Sequence, residues 1–291
     1  RWLTLGPLSF QPMEAAKLAF ILYMARFLAF RGLEVREWRR GLLPPLLILG
    51  AFSGLALAQR DLGSALLMGI ITMVMLFAGG ARVLHLMTLT AVGMPTVFAA
   101  IRMQEYRWKR VIAFLNPWRD PQGTGFQIIQ SLLALGSGGI LGVGLGQSQQ
   151  KFFYLPERHT DFIFAIVGEE LGLLGTGFVL LLYLVFTYRG MLIAQRAPDR
   201  YGTLLAAGIT AGITTQAMLN IGVISGVLPV TGVPLPFISF GGSSLVITSI
   251  GVGILLNISQ YTTGWERRDE HAADDRGRRD GRPHLPRPRR R

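Results

Sequence analysis

The sequence predicts an all-α protein, a polytopic transmembrane helical bundle of seven spans with a large extracytoplasmic loop. Half of its 291 residues are hydrophobic and only 16% are charged, a balance typical of membrane proteins and not of soluble globules. Seven segments approach the roughly 20 apolar residues that a helix needs to cross a bilayer. Arginine-rich loops recur on one side of these segments, as the cytoplasmic face of a membrane protein requires.

The predicted spans lie at residues 15–30, 42–58, 62–78, 83–101, 162–188, 204–227 and 237–258. An odd number of spans places the two chain ends on opposite sides of the membrane. The loops after the first, third and fifth spans share a side with the C-terminal tail, and their arginines make that side cytoplasmic: Arg31, Arg36, Arg39, Arg40, Arg82, Arg189, Arg196 and Arg200. The outward start predicts further spans upstream, so we expect the chain to be a fragment.

Residue usage excludes several kinds of chemistry. The chain has no cysteine for disulfides or thiol catalysis, and its four histidines are too scattered to suggest a zinc site. A third of the net charge of +12 lies in residues 262–291, where Arg, Asp, Gly and Pro predict a disordered basic cytoplasmic tail. Such a tail suits anionic lipids or a partner, and we expect no nucleic-acid binding. The glycine-rich stretch 138–146 lacks the spacing of a nucleotide loop and predicts flexible or closely packed backbone.

The long loop 102–160 faces outward yet is rich in basic residues: Arg102, Arg107, Lys109, Arg110, Arg119, Lys151 and Arg158. Cations beside the outer membrane surface suit an anionic headgroup such as a pyrophosphate. The alternative is that long loops cross the membrane regardless of charge. Within the loop, residues 106–114 predict an amphipathic helix at the membrane interface.

Three carboxylates, Asp161, Glu169 and Glu170, stand at the boundary of the fifth span. An ionised carboxylate near hydrocarbon costs several kcal/mol unless it is paired or hydrated, which favours a functional role. Capping of the following helix is the alternative for Asp161. On a continuous helix Glu169 would lie about 12 Å deeper and about 80° around the axis, so both carboxylates could line one cavity. A hydrolase triad with His159 is excluded, because no nucleophile elbow accompanies it.

Other polar positions predict structural roles. Glu14 and Lys17 stand three residues apart and predict an ion pair that anchors a helix at the interface. Asp61 precedes the third span as a candidate cap. The loop before the last span contains Pro229, Pro234 and Pro236, which predict an irregular, re-entrant segment that forms the floor of a site.

Four blocks of this sequence resemble the SEDS family of cell-wall polymerases, which includes FtsW, RodA and SpoVE. They are Arg-Trp-Leu at 1–3 with Gln-Pro-x-Glu-x-x-Lys at 11–17, Gln-x-Asp-Leu-Gly-Ser at 59–64, Tyr-Leu-Pro-Glu-x-His-Thr-Asp-Phe-Ile-Phe-Ala at 154–165 with Gly-Glu-Glu-Leu-Gly at 168–172, and Leu-Pro-x-Thr-Gly-x-x-Leu-Pro-x-Ile-Ser-Phe-Gly-Gly-Ser-Ser at 228–244. The resemblance covers residues 1–261, and the stretches near 116 and 153 are more similar to FtsW and SpoVE than to RodA.

The resemblance implies ten transmembrane helices, of which this chain would hold the last seven. It implies a peptidoglycan glycosyltransferase in the bacterial cytoplasmic (inner) membrane, with an outward-facing active site that polymerises lipid II for cell division or cell shape. The implied partners are a class B penicillin-binding protein transpeptidase and other divisome or elongasome membrane proteins. A lipid II flippase is the alternative, although the sequence shows no paired broken helices or inverted repeat.

The family's catalytic aspartate falls on Asp161, which would act as the general base. The candidate substrate-binding residues are Arg107, Lys109, Arg110, Lys151, Glu157, His159, Glu169 and Ser243. Glu14, Lys17 and Asp61 are candidates for structural or helix-anchoring roles. A divalent cation, Mg²⁺ or Mn²⁺, is a candidate cofactor at the departing pyrophosphate, without a predicted set of ligands.

Overall fold

The structure, a computed structural model, describes residues 2–5, 8–148 and 161–280. A small antiparallel hairpin, β1 (Leu3–Leu5) and β2 (Leu8–Phe10), precedes helix α1 (Pro12–Arg31). A 3₁₀ helix (Gly32–Arg36) and a π-helix (Trp38–Leu42) lead into α2 (Leu43–Ala58), followed by α3 (Leu62–Ala78) and α4 (Val83–Arg102). The long loop holds α5 (Glu105–Leu115), a 3₁₀ turn (Pro117–Arg119) and α6 (Phe126–Gly138). The last helices are α7 (Ile163–Arg196), α8 (Arg200–Ile224) and α9 (Gly242–Asp280).

This architecture confirms the predicted all-α, multi-pass bundle. Each of the seven predicted spans overlaps a helix, although residues 225–227 and 237–241 of the last two spans are not helical. Among the described residues, five helices are long and apolar enough to cross a membrane: Trp38–Ala58, Val83–Arg102, Ile163–Arg196, Arg200–Ile224 and Gly242–Tyr261. Helix α3 is apolar but shorter, and α1 carries Glu14, Lys17 and Arg26. A count of seven membrane spans therefore stays a prediction.

Helix α8 forms the centre of the bundle, because α1, α3 and α7 all pack against it. Between membrane helices the association rests on close packing, since lipid is as apolar as the helix surface. Small residues allow that approach: a Cβ atom on Gly208 would lie 2.8 Å from Cγ2 of Ile21 and 2.9 Å from Sδ of Met75. The surrounding core is made of large buried side chains, including Phe20, Met24, Leu28, Leu67, Ile71 and Leu204.

Helix α9 extends further than the sequence predicts. Its backbone continues to Asp280, through most of the segment 262–291 in which a disordered tail is expected. Residues 262–280 contain Ala, Glu and Arg, which favour helix, and extending an existing helix avoids the cost of nucleation. Residues 281–291 of the predicted tail lie outside the described residues.

Candidate active site

The loop between α8 and α9, residues 225–241, is irregular and enters the bundle. Val233 and Leu235 are buried, and the segment contains no regular secondary structure in this part of the described chain. Irregular backbone at membrane depth is tolerated where protein surrounds it. The structure thus confirms the predicted irregular segment, which we call the 225–241 loop.

Two amide side chains of α8 hold the 225–241 loop. Nε2 of Gln216 donates to the carbonyl of Pro234 at 3.0 Å, and Nδ2 of Asn220 donates to the carbonyl of Val233 at 2.8 Å. From α7, the hydroxyl of Tyr183 donates to the carbonyl of Pro236. These bonds fix three successive parts of a loop whose own backbone makes few regular hydrogen bonds.

The N-terminus of α3 supports the other side of this loop. Asp61 caps α3 as predicted, accepting from the backbone N–H of Ser64 at 3.0 Å and from its hydroxyl at 2.8 Å. Gly63, two residues after Asp61, has no room for a side chain because the loop passes very close. An added Cβ would lie 2.7 Å from the carbonyl oxygen of Thr231 and 2.6 Å from Cγ2 of Val233.

Asp161 lies where α7 approaches the 225–241 loop. Its backbone carbonyl accepts from Nδ2 of Asn220 at 2.7 Å, and its side chain is half-buried. A Cβ added to Gly232 would lie 3.5 Å from Oδ2 of Asp161, so this carboxylate faces the loop backbone. Gly232 has φ +72°, a conformation that side chains rarely adopt, and glycine is therefore suited to this close approach.

The predicted relation between Asp161 and Glu169 needs correction. Asp161 and Phe162 form a turn and α7 begins at Ile163, so the two carboxylates do not stand on one continuous helix. The N-cap of α7 is Phe162, so Asp161 does not occupy the position that the capping alternative requires. Glu169 is buried, and its Oε2 accepts a 2.5 Å hydrogen bond from the hydroxyl of Ser148.

Helix α7 is broken at Gly172, which has φ +64° and ψ −161°. The glycine-rich stretch 138–146 fills this break. The N–H groups of Val143 and Gly144 donate to the carbonyls of Glu169 and Glu170 at 3.0 and 3.1 Å.

In return, the N–H groups of Leu173 and Leu174 donate to the carbonyls of Gly139 and Ile140 at 2.9 and 3.2 Å. Close packing, one of the two predicted readings of these glycines, is therefore confirmed. The break itself was not predicted from the sequence, although it depends on a glycine of the Gly-Glu-Glu-Leu-Gly block.

The predicted pair of Glu14 and Lys17 forms, with 2.8 Å between Nζ and Oε1, but its location differs from the prediction. The pair is inside the bundle, with Glu14 only 3% and Lys17 only 7% exposed. Nζ of Lys17 also donates to Oε1 of Gln216 at 2.8 Å. Since Gln216 holds the 225–241 loop, the buried pair connects α1 to the candidate site. Burial removes both charges from water, and this cost is the reason for the expected interfacial position. The attraction between the two charges offsets that cost.

The basic residues of the long loop divide by environment. The predicted amphipathic helix forms as α5, and on it Arg107 is buried, donating to the carbonyls of Ala100 at 2.9 Å and Leu57 at 3.0 Å. Lys109 forms an exposed pair with Glu105 at 2.9 Å, and this hydrogen bond holds the pKa of the Glu105 carboxyl below its ordinary value. Arg107 is thus bonded to backbone carbonyls inside the protein, whereas Lys109 is exposed to solvent.

An open cleft of about 570 Å³ lies between α5, the turn before α6 and the 225–241 loop. Its lining includes Tyr106, Lys109, Arg110, Gln127 and Val230. Nη1 of Arg110 donates to the carbonyl of Val230 at 3.4 Å, two residues before the glycine that faces Asp161. The cleft and the carboxylate of Asp161 therefore border the same loop, at Val230 and Gly232 respectively.

The remaining predicted positions are distributed as follows. Ser243 is buried at the start of α9 and its hydroxyl accepts from the backbone N–H of Gln11 at 3.1 Å. Lys151, Glu157 and His159 lie outside the described residues. No group of three or more His, Cys, Asp or Glu that could hold a metal ion occurs in the described part of the chain, and the divalent cation stays a prediction.

Sequence reasoning missed Gln216 and Asn220. Both are buried in a span whose other residues are apolar, glycine, threonine or serine, and they stand four residues apart, which places them on one face of α8. Polar residues inside a membrane span usually face the bundle interior, so this spacing was an available signal.

Comparison with known proteins gives one consistent result. The family model described as "cell cycle protein", covering FtsW, RodA and SpoVE, matches residues 1–264. Stage V sporulation protein E of Bacillus subtilis is 48% identical over 261 residues, which is 90% of this chain and 71% of that protein. A probable peptidoglycan glycosyltransferase FtsW of Geobacter sulfurreducens is 45% identical over 264 residues, 91% of this chain and 71% of that protein.

Solved structures agree with the fold. A peptidoglycan synthase complex, described as coordinating polymerization and crosslinking, contains a chain with a TM-score of 0.73 and 33% identity, covering 90% of this chain and 73% of that one. The rod shape determining protein RodA of Thermus thermophilus has a TM-score of 0.62 and 32% identity, covering 89% of this chain and 68% of that one. The FtsW and SpoVE relatives above are the more similar in sequence, in line with the predicted branch.

Proposed function

Because the chain belongs to the FtsW/RodA/SpoVE family of cell cycle proteins, we propose that it polymerises lipid II into glycan strands with Asp161 as the general base. The chain is a peptidoglycan glycosyltransferase, as its FtsW relatives are named. The observation that supports the site most directly is the placement of Asp161. Its backbone is held by Asn220, and its carboxylate faces the 225–241 loop, whose Val230 lines an open cleft.

The reaction needs few protein groups. The acceptor sugar 4-hydroxyl attacks the anomeric carbon of the donor, the bond to the lipid pyrophosphate breaks, and the hydroxyl proton passes to the Asp161 carboxylate. A positioned carboxylate of this kind contributes about 10²- to 10⁴-fold to a rate. The attack inverts the configuration at the anomeric carbon and forms no covalent enzyme intermediate, so no nucleophilic side chain is required.

Positive charge beside Asp161 would stabilise the departing pyrophosphate. Lys109 and Arg110 line the open cleft at the 225–241 loop, which Asp161 also faces, and we assign this task to them. Lys151, Glu157 and His159 remain candidate ligands. The guanidinium of Arg107 donates to two backbone carbonyls, and we propose that this residue holds α5 in place and does not bind the pyrophosphate.

The chain is a multi-pass membrane protein. We place it in the bacterial cytoplasmic membrane with Asp161 facing outward, because the arginine-rich loops mark the opposite side. The similar synthase complex, which coordinates polymerization and crosslinking, supports a penicillin-binding protein as partner. Divisome or elongasome membrane proteins and anionic lipids at the C-terminal tail complete the proposed set of partners.

A lipid II flippase is the competing function, and the broken helix α7 is the feature that favours it. Transporters often use broken helices whose free backbone groups bind ions or substrate. In α7 the carbonyls of Glu169 and Glu170 and the N–H groups of Leu173 and Leu174 are bonded to the 138–146 stretch. This pairing supports a packed joint more than an ion site.

The experiment that separates the two functions uses full-length protein purified in detergent with its transpeptidase partner and supplied with lipid II. Detergent has no second leaflet, so flipping has no meaning there. A polymerase produces glycan strands, which can be scored on gels. A flippase leaves lipid II unchanged in detergent and acts only in vesicles.

A further inference from the structure

Asn220 contacts two backbone carbonyls that belong to different elements. Its Nδ2 donates to Asp161 at 2.7 Å and to Val233 at 2.8 Å, so one amide joins the start of α7 to the 225–241 loop. Asn220 is only 2% exposed and stands on α8, the helix around which the bundle packs. Its position is therefore fixed by the packing of α8 against α1, α3 and α7.

We infer that Asn220 is a positioning residue that sets where the Asp161 carboxylate stands relative to the 225–241 loop. This inference rests on the proposed role of Asp161 as the base. The carboxylate extends from the same residue whose carbonyl Asn220 holds, so a shift of that carbonyl moves the proton acceptor. Proton transfer needs a heavy-atom separation of about 2.6–3.2 Å, which leaves little tolerance.

The chemistry of the primary amide suits this role. An NH₂ group carries two hydrogens and can donate to two acceptors at once, whereas a hydroxyl can donate to only one. Of the two carbonyls, that of Asp161 stands in a turn and that of Val233 in irregular backbone. An amide also carries no charge, so it holds the segment without changing the charge around the carboxylate.

Gln216 makes the neighbouring contact but does not reach Asp161. It donates to Pro234 and accepts from Lys17, so it ties the 225–241 loop to α1. Asn220, one turn further along α8, also bonds the carbonyl of Asp161 in the turn that precedes α7. The two amides therefore perform different tasks, and only the change at Asn220 is expected to displace Asp161.

The test is Asn220→Leu in the full-length protein with its transpeptidase partner. Leucine keeps a branched side chain and removes both donors. We expect kcat for lipid II polymerisation to fall about 10- to 10²-fold, as a small misplacement of a catalytic group does, with KM within about threefold of wild type. The midpoint of the pH–kcat profile should stay in place, because Asn220 bonds the backbone and not the carboxylate.

The matched control is Thr214→Val on the same helix, whose hydroxyl pairs with Thr187 at 2.8 Å and does not contact the 225–241 loop. It should keep wild-type kcat. A second readout needs no activity: in this cysteine-free chain, Val233→Cys is buried, and its reaction with a small thiol reagent should quicken in the Asn220→Leu background but not with Thr214→Val.

The outcomes separate the inference from the proposed function. If Asp161→Asn is inactive while Asn220→Leu keeps wild-type kcat, the function stands and the positioning role is wrong. A change in KM alone, or unchanged labelling at position 233, also overturns it. If Asp161→Asn polymerises normally, the proposed base is wrong, and the inference fails with it for that separate reason.

Discussion

Lys17 of α1 and Gln216 of α8 are joined inside the bundle by a hydrogen bond of 2.8 Å between Nζ and Oε1. Lys17 also pairs with Glu14, and Gln216 also donates to Pro234. A buried charge pair on one helix is thus connected to the loop that faces Asp161. This arrangement predicts that the pair affects both stability and the shape of the site.

Lys17→Met should destabilise the protein by about 3–5 kcal/mol, because it leaves the Glu14 carboxylate buried without its cation. The measurement is the free energy of unfolding in mixed micelles. The double variant Glu14→Leu with Lys17→Met should lose only about 1–3 kcal/mol, from the Gln216 oxygen that no longer has its donor. Equal losses in the single and double variants would contradict a buried pair.

Gly172→Ala should also destabilise the protein, since Gly172 has φ +64° and an added Cβ would lie 2.4 Å from the backbone nitrogen of Gly142. We expect a loss of about 1–3 kcal/mol from backbone strain alone. Gly177→Ala on the same helix is the control, because its Cβ would meet nothing within 4 Å. Thermal unfolding of the two variants should differ clearly. If Gly172→Ala melts like Gly177→Ala, the break in α7 is not as described.

The cations of the long loop should separate into two classes. Lys109→Gln with Arg110→Gln should reduce polymerisation in detergent by about tenfold or more while unfolding stays normal, because charge near the pyrophosphate is lost. Arg107→Gln should instead lower the free energy of unfolding, by about 1.5–3 kcal/mol for each charged hydrogen bond lost.

Arg102→Gln is the control for charge alone, since Arg102 lies 4.5 Å over the ring of Trp108 and does not line the cleft. Full polymerisation by the Lys109/Arg110 double variant would remove these two residues from the proposed donor site.

Orientation can be tested by thiol labelling, because the chain contains no cysteine. Gln122→Cys lies on an exposed turn of the long loop and should react with an impermeant reagent applied to intact cells from outside. Pro198→Cys, exposed between α7 and α8, should react only after the membrane is opened. The reverse pattern would place Asp161 on the cytoplasmic side.

Local rules predicted much of this structure. Apolar length located the helices, Asp61 was correctly predicted as a cap, and the prolines around Pro234 indicated the irregular loop. Features that depend on packing between distant segments were not predictable in this way. The burial of Glu14 and Lys17 depends on Gln216, which stands 199 residues after Lys17, and the break at Gly172 depends on the 138–146 stretch. The link from Asn220 to Asp161 likewise joins residues 59 apart in sequence.

The central claim is that Asp161 accepts the proton of the attacking hydroxyl, and Asp161→Asn tests it most directly. Asparagine keeps the size of the side chain and its capacity to accept hydrogen bonds, but it is not a base. With purified full-length protein, its transpeptidase partner and lipid II, we expect glycan polymer to fall by about 10²-fold or more while folding and partner binding persist. Near-normal polymer from this variant would contradict the account.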